Sequence, residues 1–346
     1  MSETALYRKY RPHSFVEVVG QEHIVKVLSA SASSGKIAHA YLFSGSRGTG
    51  KTSLARIFAE TLGTSANDLN EIDAASNNGV DEVRALNEAV SVLPFESKYK
   101  VYIFDEVHMF SKSAWNALLK TLEEPPKHVI FILATTEIDK VPETIISRCQ
   151  TFTFRKPSQE ILATVVKNVA KKEGYTLEPA SADLIGILAD GSFRDALGIV
   201  QKILGISKDK KISVEEVEMV TGAPRSELVN AFIEALSEKN SEKGIGAIQK
   251  ALKQNVDMKV YAKLILMKLR FVLLLKFAPT LAQEFSSHIS KEDFEYLKTL
   301  SQKKESHISS ATLLEMLSAY DMIGRSYIPE LSLEIALVKL SGVSQQ

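Results

Sequence analysis

"HAYLFSGSRGTGKTSLARIFAETL", residues 39–62, joins a short apolar run to an amphipathic helical pattern through a glycine-rich turn. The run "AYLF" has the unbroken apolar character of a strand buried on both faces. Gly45 to Thr52 fit the spacing GxxxxGK[ST], after a predicted strand and before a predicted helix, which is the context that gives this motif its meaning. Glycines 45, 48 and 50 allow the tight turn that aims successive N–H groups and the helix N-terminus at a phosphate. Gly45, Ser46, Arg47, Gly48, Thr49, Gly50, Lys51, Thr52 and Ser53 are therefore the expected phosphate cradle. Lys51 is expected to neutralise β and γ oxygens of ATP, and the Thr52 hydroxyl to ligate Mg²⁺.

Outward from this loop, β-rich runs alternate with helical patterns: "AYLFSG", "LNEIDAAS", "KVYIFDE", "VIFILATT" and "TFTFRK". Helices between continuous apolar strands imply a parallel sheet, hence an α/β layered domain. The third run ends in Asp105 and Glu106. A phosphate loop needs an acid at a neighbouring strand end to hold magnesium, and Asp105 fits that role. Glu106 is positioned to polarise an attacking water as general base. The fourth run ends in Thr135 and Thr136, whose hydroxyls could reach the γ-phosphate or the water; by themselves, threonines at a strand end are ordinary β-formers. In "SKSAWNALLKTLEEPP", Ser111 is an N-cap and Pro125-Pro126 a stop, and Trp115, Leu118, Leu119 and Leu122 form one buried stripe.

Beyond about residue 157 strand signals give way to helical periodicity. "SQEILATVVKNVAKKEG" closes on a Gly cap at 174, "SADLIGILADGSFRDALGIVQKIL" reads as two helices broken at Gly191, and "TGAPRSE" opens a third, helical region running to about Leu340. Three domains follow: a P-loop ATPase domain over 1–157, a small helical lid over 158–221 and a helical collar over 222–346. Only "SGVSQQ" at the end reads as frayed.

Composition limits the function classes. The 346 residues are 45% hydrophobic and 24% charged, enough for a core and a solvated surface. Lys plus Arg and Asp plus Glu both total 42, so no overall field draws the chain to nucleic acid. A single cysteine, Cys149, excludes an internal disulfide or multi-cysteine zinc site and fits a reducing compartment. The seven histidines show no metal-ligand spacing and read as surface or satisfied core residues. "MSETALYRKYRPHSF" holds no signal-like apolar run, and "LILMKLRFVLLLKF" (264–277) is interrupted by Lys268, Arg270 and Lys276. No membrane span is expected, and a cytoplasmic location is.

The pieces "YRKYRPHSFVEVVGQEH", "HAYLFSGSRGTGKTS", "EIDAASNNGVDEVR", "KVYIFDEVHMFS", "NALLKTLEEPP", "FILATTEIDKVPETIISRC" and "GSFRDAL" lie in order from residue 7 to 197. On these the chain resembles the gamma/tau family of bacterial DNA polymerase III clamp-loader subunits, members of the AAA+ ATPases; "PELSLEIALVKL" is similar to the family's last helix. The resemblance implies an ATPase converting ATP and water to ADP and phosphate, a subunit of a polymerase holoenzyme without a polymerase site of its own. It implies that Thr136 is the first sensor. Arg148 in "SRC" is implied to be an arginine finger serving a neighbour's ATP, and Arg194 in "GSFRDAL" a second sensor on the lid. Arg11, Pro12 and Val19 match the segment lining the adenine pocket. Implied partners are further copies of the chain, the delta and delta-prime subunits, the sliding clamp and primer-template DNA held by its backbone.

One departure stands out: family members carry a four-cysteine zinc module between the P-loop helix and the next strand, and here "GTSANDLNEIDAAS" replaces it, so no zinc is expected. "SNNGVDEVR" (76–84) and "FSKSAWN" (110–116) are the segments where helix starts could meet DNA phosphates, with Asn77, Asn78, Lys112 and Arg84 as contacts; helix capping explains Ser76 and Ser111 equally well. Beside Arg148, Cys149 reads as a packed apolar residue. Two rival readings remain open on sequence alone: another AAA+ DNA motor or initiator, such as a branch-migration protein, and a low-turnover scaffold resembling delta-prime. The intact "GTGKT" and "DE" argue against the scaffold.

Overall fold

In a computed structural model of the chain, residues 4–207, 209–284, 291–303 and 305–342 are described. Strands β1 (Ala40–Ser44), β2 (Leu69–Asp73), β3 (Lys100–Asp105), β4 (Val129–Thr135) and β5 (Gln150–Thr153) form a parallel sheet in the order β2-β3-β4-β1-β5. β1 and β4 are buried throughout, as their continuous apolar sequence requires, whereas the edge strands β2 and β5 are partly exposed.

Strand alternation feeds two separate cores. On one face Leu42, Phe104, Phe131 and Leu133 pack with Val83 and Leu86 of helix Val80–Val90 and with Trp115 and Leu118 of helix Lys112–Glu123. On the other, Tyr41, Phe43, Ile103 and Ile132 pack with Leu54 and Phe58 of the P-loop helix, Lys51–Thr61, and with Ile24 and Leu28 of helix Glu22–Ser34. Trp115 meets Phe110 edge-on at 5.2 Å, so its indole works as packing. Ser111 caps the Lys112–Glu123 helix by accepting from the Ala114 amide at 3.1 Å. Ser76 caps no helix: its hydroxyl donates to Asp73 in the turn after β2.

From β1 the chain moves out to β2 and returns through β3 and β4, and only then reaches β5 on the far side of β1. Reversals of this kind open a crevice at the carboxyl ends of the strands, where α/β proteins bind ligands. Ser44, Asp105, Thr135 and Thr153 all end their strands on that edge.

The described residues up to Leu162, together with Ala189–Gly198, form one compact unit; Ala163–Leu188 and those from Ile199 onward form a second. Arg194 thus falls in the same unit as the glycine-rich loop. Gly174, Gly191 and Gly222 take the left-handed backbone expected of helix stops. One detail departs from the sequence reading. The region after 157 also holds a parallel pair of two-residue strands, β6 (Thr176–Leu177) and β7 (Lys211–Ile212), too short to leave a period-2 signal.

In the second unit, helices Ser226–Glu238, Ser241–Lys253, Met258–Phe277, Lys291–Gln302, Ser310–Ile323 and Leu331–Ser341 share a core around Phe232, Ile248, Tyr261, Ile265, Met316 and Leu337. The greasy segment 264–277 is part of the Met258–Phe277 helix, and two of its lysines find partners. Lys268 Nζ donates to Asn230 and Asp293, each at 2.8 Å, and to Ser226, while Lys276 Nζ donates to the Ile308 carbonyl at 3.0 Å. Among the described residues no helix is long and apolar enough to cross a membrane. Of the segment expected to fray, residues 343–346 lie outside the described ones.

Candidate active site

The loop after β1 is glycine-rich for three separate steric reasons. Gly45 has φ +146° and a Cβ there would lie 2.7 Å from the Phe154 carbonyl oxygen. Gly48 has φ +74° and faces Ser192, which a side chain would strike; Gly50, at φ +102°, starts the Lys51–Thr61 helix. The loop is braced on several sides. Thr49 Oγ1 donates to the Ser46 carbonyl at 2.9 Å, and the Phe193 amide donates to the Gly48 carbonyl at 2.9 Å. Buried Gln21 donates to the carbonyls of Thr49 (3.4 Å) and Arg155 (2.7 Å).

Lys51 is only 5% exposed, and its ammonium curls back onto the Gly45 and Ser46 carbonyls at 2.7 and 3.0 Å. Burial pushes its pKa down, against the pull of Glu106 and Asp105. A buried cation resting only on backbone carbonyls can exchange them for a stronger, charged acceptor. Ser46, Gly48, Gly50, Thr52 and Ser53 are partly exposed and Arg47 is exposed, so the cradle is open on that side.

The acid pair is built into the β3 end. Asp105 Oδ2 accepts from Thr52 Oγ1 at 2.9 Å. Two hard oxygens at this spacing fit neighbouring positions around Mg²⁺, whose octahedral bonds of about 2.1 Å put adjacent ligands about 3 Å apart. Glu106 follows in the left-handed region, φ +51° and ψ +46°, a conformation a non-glycine residue holds only when its surroundings enforce it. Its Oε2 accepts from the Thr136 hydroxyl (2.9 Å) and amide (3.3 Å), which joins the tips of β3 and β4. Thr135 is fully buried and turns the other way, accepting from the Glu137 amide at 3.0 Å.

Lys51, Thr52, Asp105, Glu106 and Thr136 are thus brought together. Arg194 is drawn instead to the N-terminal segment, its guanidinium 4.8 Å from the centre of the Tyr7 ring. A hydrogen bond from Arg194, with a further contribution from Arg8, pulls the Tyr7 phenol below its ordinary pKa. Arg11 is partly buried, and its pKa is lowered chiefly by that burial and by the Arg56 charge, with Glu71, which pairs with Arg56, pulling the other way. Pro12 is partly buried, and Val19 points outward while Val18 packs into the core.

Arg148 is not part of this convergence. Following helix Glu143–Ile146, it donates to the Thr144 carbonyl and to Glu123 Oε1, both at 2.6 Å. Beside it, burial pushes the Cys149 thiol up to about 12, so the sulfur is an apolar packing atom against the core.

This geometry can be set beside known proteins. A family model described as "DNA polymerase III, delta subunit" matches residues 20–79 and 63–158. DNA polymerase III subunit gamma of Buchnera aphidicola is 36% identical over 74% of this chain and 76% of its own length. The chain belongs to the gamma/tau family of DNA polymerase III subunits.

Subunit tau of Bacillus subtilis is 38% identical across the whole chain, which spans 64% of that relative, and subunit tau of Escherichia coli is 37% identical over 74% of the chain and 43% of its own length. The chain therefore spans less than two thirds of these longer relatives. By fold, the solved Thermotoga maritima RuvB Holliday junction branch migration motor aligns with a TM-score of 0.53 at 23% identity over 66% of this chain and 79% of that one. At that identity the likeness concerns the fold alone: a parallel α/β domain followed by helical regions.

In this gamma/tau-family chain several residues at the site have no role that the sequence alone assigns. Gln21 sits in the quoted "VVGQEH" but has no motif chemistry; only folding brings it under the loop. Ser192 meets Gly48, and Tyr7 meets Arg194, likewise only through the fold. His108 reads in sequence as one of seven ordinary histidines, yet it lies 3.1 Å from Thr135 Oγ1 and between Glu106 and Glu137. Its position directly after the "DE" pair is the available signal.

Where relatives are implied to carry a zinc module, buried Asp68 organises a short connection. Its carboxylate accepts from the amides of Phe95, Glu96 and Ser97 at 2.5 to 3.1 Å. Burial works against the charge, but these bonds outweigh it and hold the carboxyl well below the usual carboxylate range. Of the segments expected to meet DNA, Asn77 donates to the Asp73 carbonyl, the Asn78 carbonyl accepts from Ser111, and Arg84 pairs with Asp81. Lys112 is exposed at a helix start.

Proposed function

We propose that this chain is the ATP-hydrolysing subunit of a DNA polymerase III clamp loader, working with copies of itself and with delta and delta-prime subunits to open a sliding clamp and place it on primed DNA. The observation that carries the reading is the meeting, at one sheet edge of a gamma/tau-family chain, of the Lys51 loop, the Thr52–Asp105 oxygen pair and the Glu106–Thr136 pair. Arg11, Pro12 and Val19 border the adenine, while residues 45–53 cradle the phosphates with backbone N–H groups.

Lys51 exchanges its carbonyl partners for β and γ oxygens. Thr52 and Asp105 hold magnesium, which supplies charge neutralisation across the phosphates when bound. Glu106 accepts the proton of the attacking water, and Thr136 orients it. Arg194 leaves Tyr7 to close on the γ-phosphate. Arg148 is supplied to the neighbouring subunit's site, where a planar guanidinium stabilises the transition state only if the subunits are seated correctly. Exchange of Glu123 for a phosphate oxygen is the move this requires. Helix starts near Asn77, Asn78, Arg84 and Lys112 meet DNA phosphates without reading bases. The three-domain division at 157/158 and 221/222 assigns the lid to the helices carrying Arg194 and the collar to the last region.

The test is ATPase assay of the reconstituted loader with and without clamp and primed DNA. Strong joint stimulation is expected. Stimulation by four-way junctions instead, or ATP binding without turnover, would contradict it.

A further inference from the structure

Three groups, His108, Thr135 and Glu137, meet behind Glu106. The His108 ring, its side chain 8% exposed, sits on the turn that follows β3. Its Nδ1 lies 3.1 Å from Thr135 Oγ1 and 3.4 Å from Glu106 Oε2, and its Nε2 lies 3.3 Å from Glu137 Oε1. Glu137 is anchored in turn: its amide donates to Thr135 and its carboxylate accepts from Lys140 at 3.0 Å. Principally through that Lys140 bond, with His108 adding to it, the Glu137 carboxyl stays below its ordinary pKa.

The two oxygens of Glu106 are thereby treated differently. Oε2 is fixed by Thr136 on one side and by the ring edge of His108 on the other, while among the described residues nothing donates to Oε1. A carboxylate that must meet a water in one orientation needs one oxygen immobilised and one free, because each rotatable torsion left open dilutes the reactive geometry. The left-handed backbone of Glu106 points the same way: a conformation that side-chain-bearing residues rarely adopt persists where its neighbours over-determine it.

We infer that His108 is a positioning residue, an imidazole that ties the Glu106 carboxylate to Glu137 and the β4 tip so that Oε1 faces the attacking water. The tie to Glu106 is made by a proton on Nδ1, which faces Thr135 Oγ1 at 3.1 Å and Glu106 Oε2 at 3.4 Å; a proton on Nε2 donates to Glu137 Oε1 at 3.3 Å, so a ring carrying both bridges the two carboxylates. The inference rests on Glu106 acting on water, as proposed above.

The experiment uses the reconstituted loader with clamp and primed DNA, carrying Glu106→Gln, His108→Ala, His108→Gln, Glu137→Ala or the His108→Ala/Glu137→Ala pair, with kcat and the Kd for ATP measured separately. Glu106→Gln is expected to lower kcat by about 10² or more while ATP still binds, the scale of a lost general base. His108→Ala is expected to lower kcat about 10-fold, a fraction of the ~10²–10⁴ such a base contributes, with Kd within about twofold. His108→Gln, which can still donate one hydrogen bond, recovers part of the loss. Glu137→Ala costs less than His108→Ala, and the double variant no more than His108→Ala alone, since both act along one path. If Glu106→Gln keeps its turnover, the base assignment fails and takes the inference with it. If Glu106→Gln is inactive but both His108 variants turn over within about twofold of the parent, the positioning role alone is overturned. That role is equally overturned if ATP affinity falls in step with kcat, which marks general disruption of the fold.

Discussion

Two polar clusters in this chain look alike in composition and do different things. In the second unit, Lys268 sits among Asp293, Asn230 and Ser226. Ser226 Oγ donates to the Asp293 carboxylate at 2.7 Å, and the Asn230 amide donates to it at 3.1 Å. Each member has a mate inside the cluster, and the effect is to fix how three helices pack. At the sheet edge, Lys51 is as buried but rests on backbone carbonyls of its own loop, and Glu106 has one oxygen bound and one free. Burial of charge therefore does not by itself mark a site. Valence left open toward a crevice does.

That contrast can be broken first at the loop. Lys51→Ala should abolish turnover and weaken ATP binding by about 10²-fold or more while thermal unfolding shifts little, because the lysine's partners are carbonyls that water can serve instead. Fluorescent-nucleotide titration beside a melting curve checks both halves. Lys268→Met should do the reverse. It strands the Asp293 carboxylate, costing about 3 kcal/mol in the second unit, yet leaves ATP affinity unchanged. Lys268→Met with Asp293→Leu should recover most of that stability, read as urea midpoints; if it does not, the cluster is more than a packing device.

A smaller effect is expected at Asp68. Its carboxyl is held below the unfolded value of about 3.9, so its stabilisation is present above that pH and is lost as pH falls through the unfolded toward the folded value. The gap in urea midpoint between the parent and Asp68→Ala should therefore be open at pH 7 and narrow below about pH 4. A gap that stays constant with pH would mean that packing, rather than charge, holds the connection between Asp68 and residues 95–97.

Most of the sheet is legible in the sequence because buried parallel strands announce themselves as unbroken apolar runs: β1 to β4 fall within the runs that mark them, and β5 begins one residue before its own, at Gln150. "TFTFRK" overstates its strand: β5 stops at Thr153, where the chain turns so that Phe154 and Arg155 brace Gly45 and Gln21. Thr136 is set apart from Thr135 only by the family resemblance, whereas the loop, Asp105 and Glu106 are visible through spacing, since a strand end delivers a side chain to a predictable edge. Gln21, Tyr7, His108 and Ser192 are not, because their roles depend on which segments meet across the fold. β6 and β7 escape for want of length.

Everything proposed for turnover depends on each site being completed by Arg148 from a neighbour. Lys51→Ala and Arg148→Ala subunits should be mixed in reconstituted loader with clamp and primed DNA, and ATP turnover measured. Each variant alone should be nearly inactive, Arg148→Ala by about 10³-fold though still binding ATP, and the mixture should regain turnover at hybrid interfaces where an intact loop meets an intact arginine. Full stimulated turnover by Arg148→Ala alone would contradict the account.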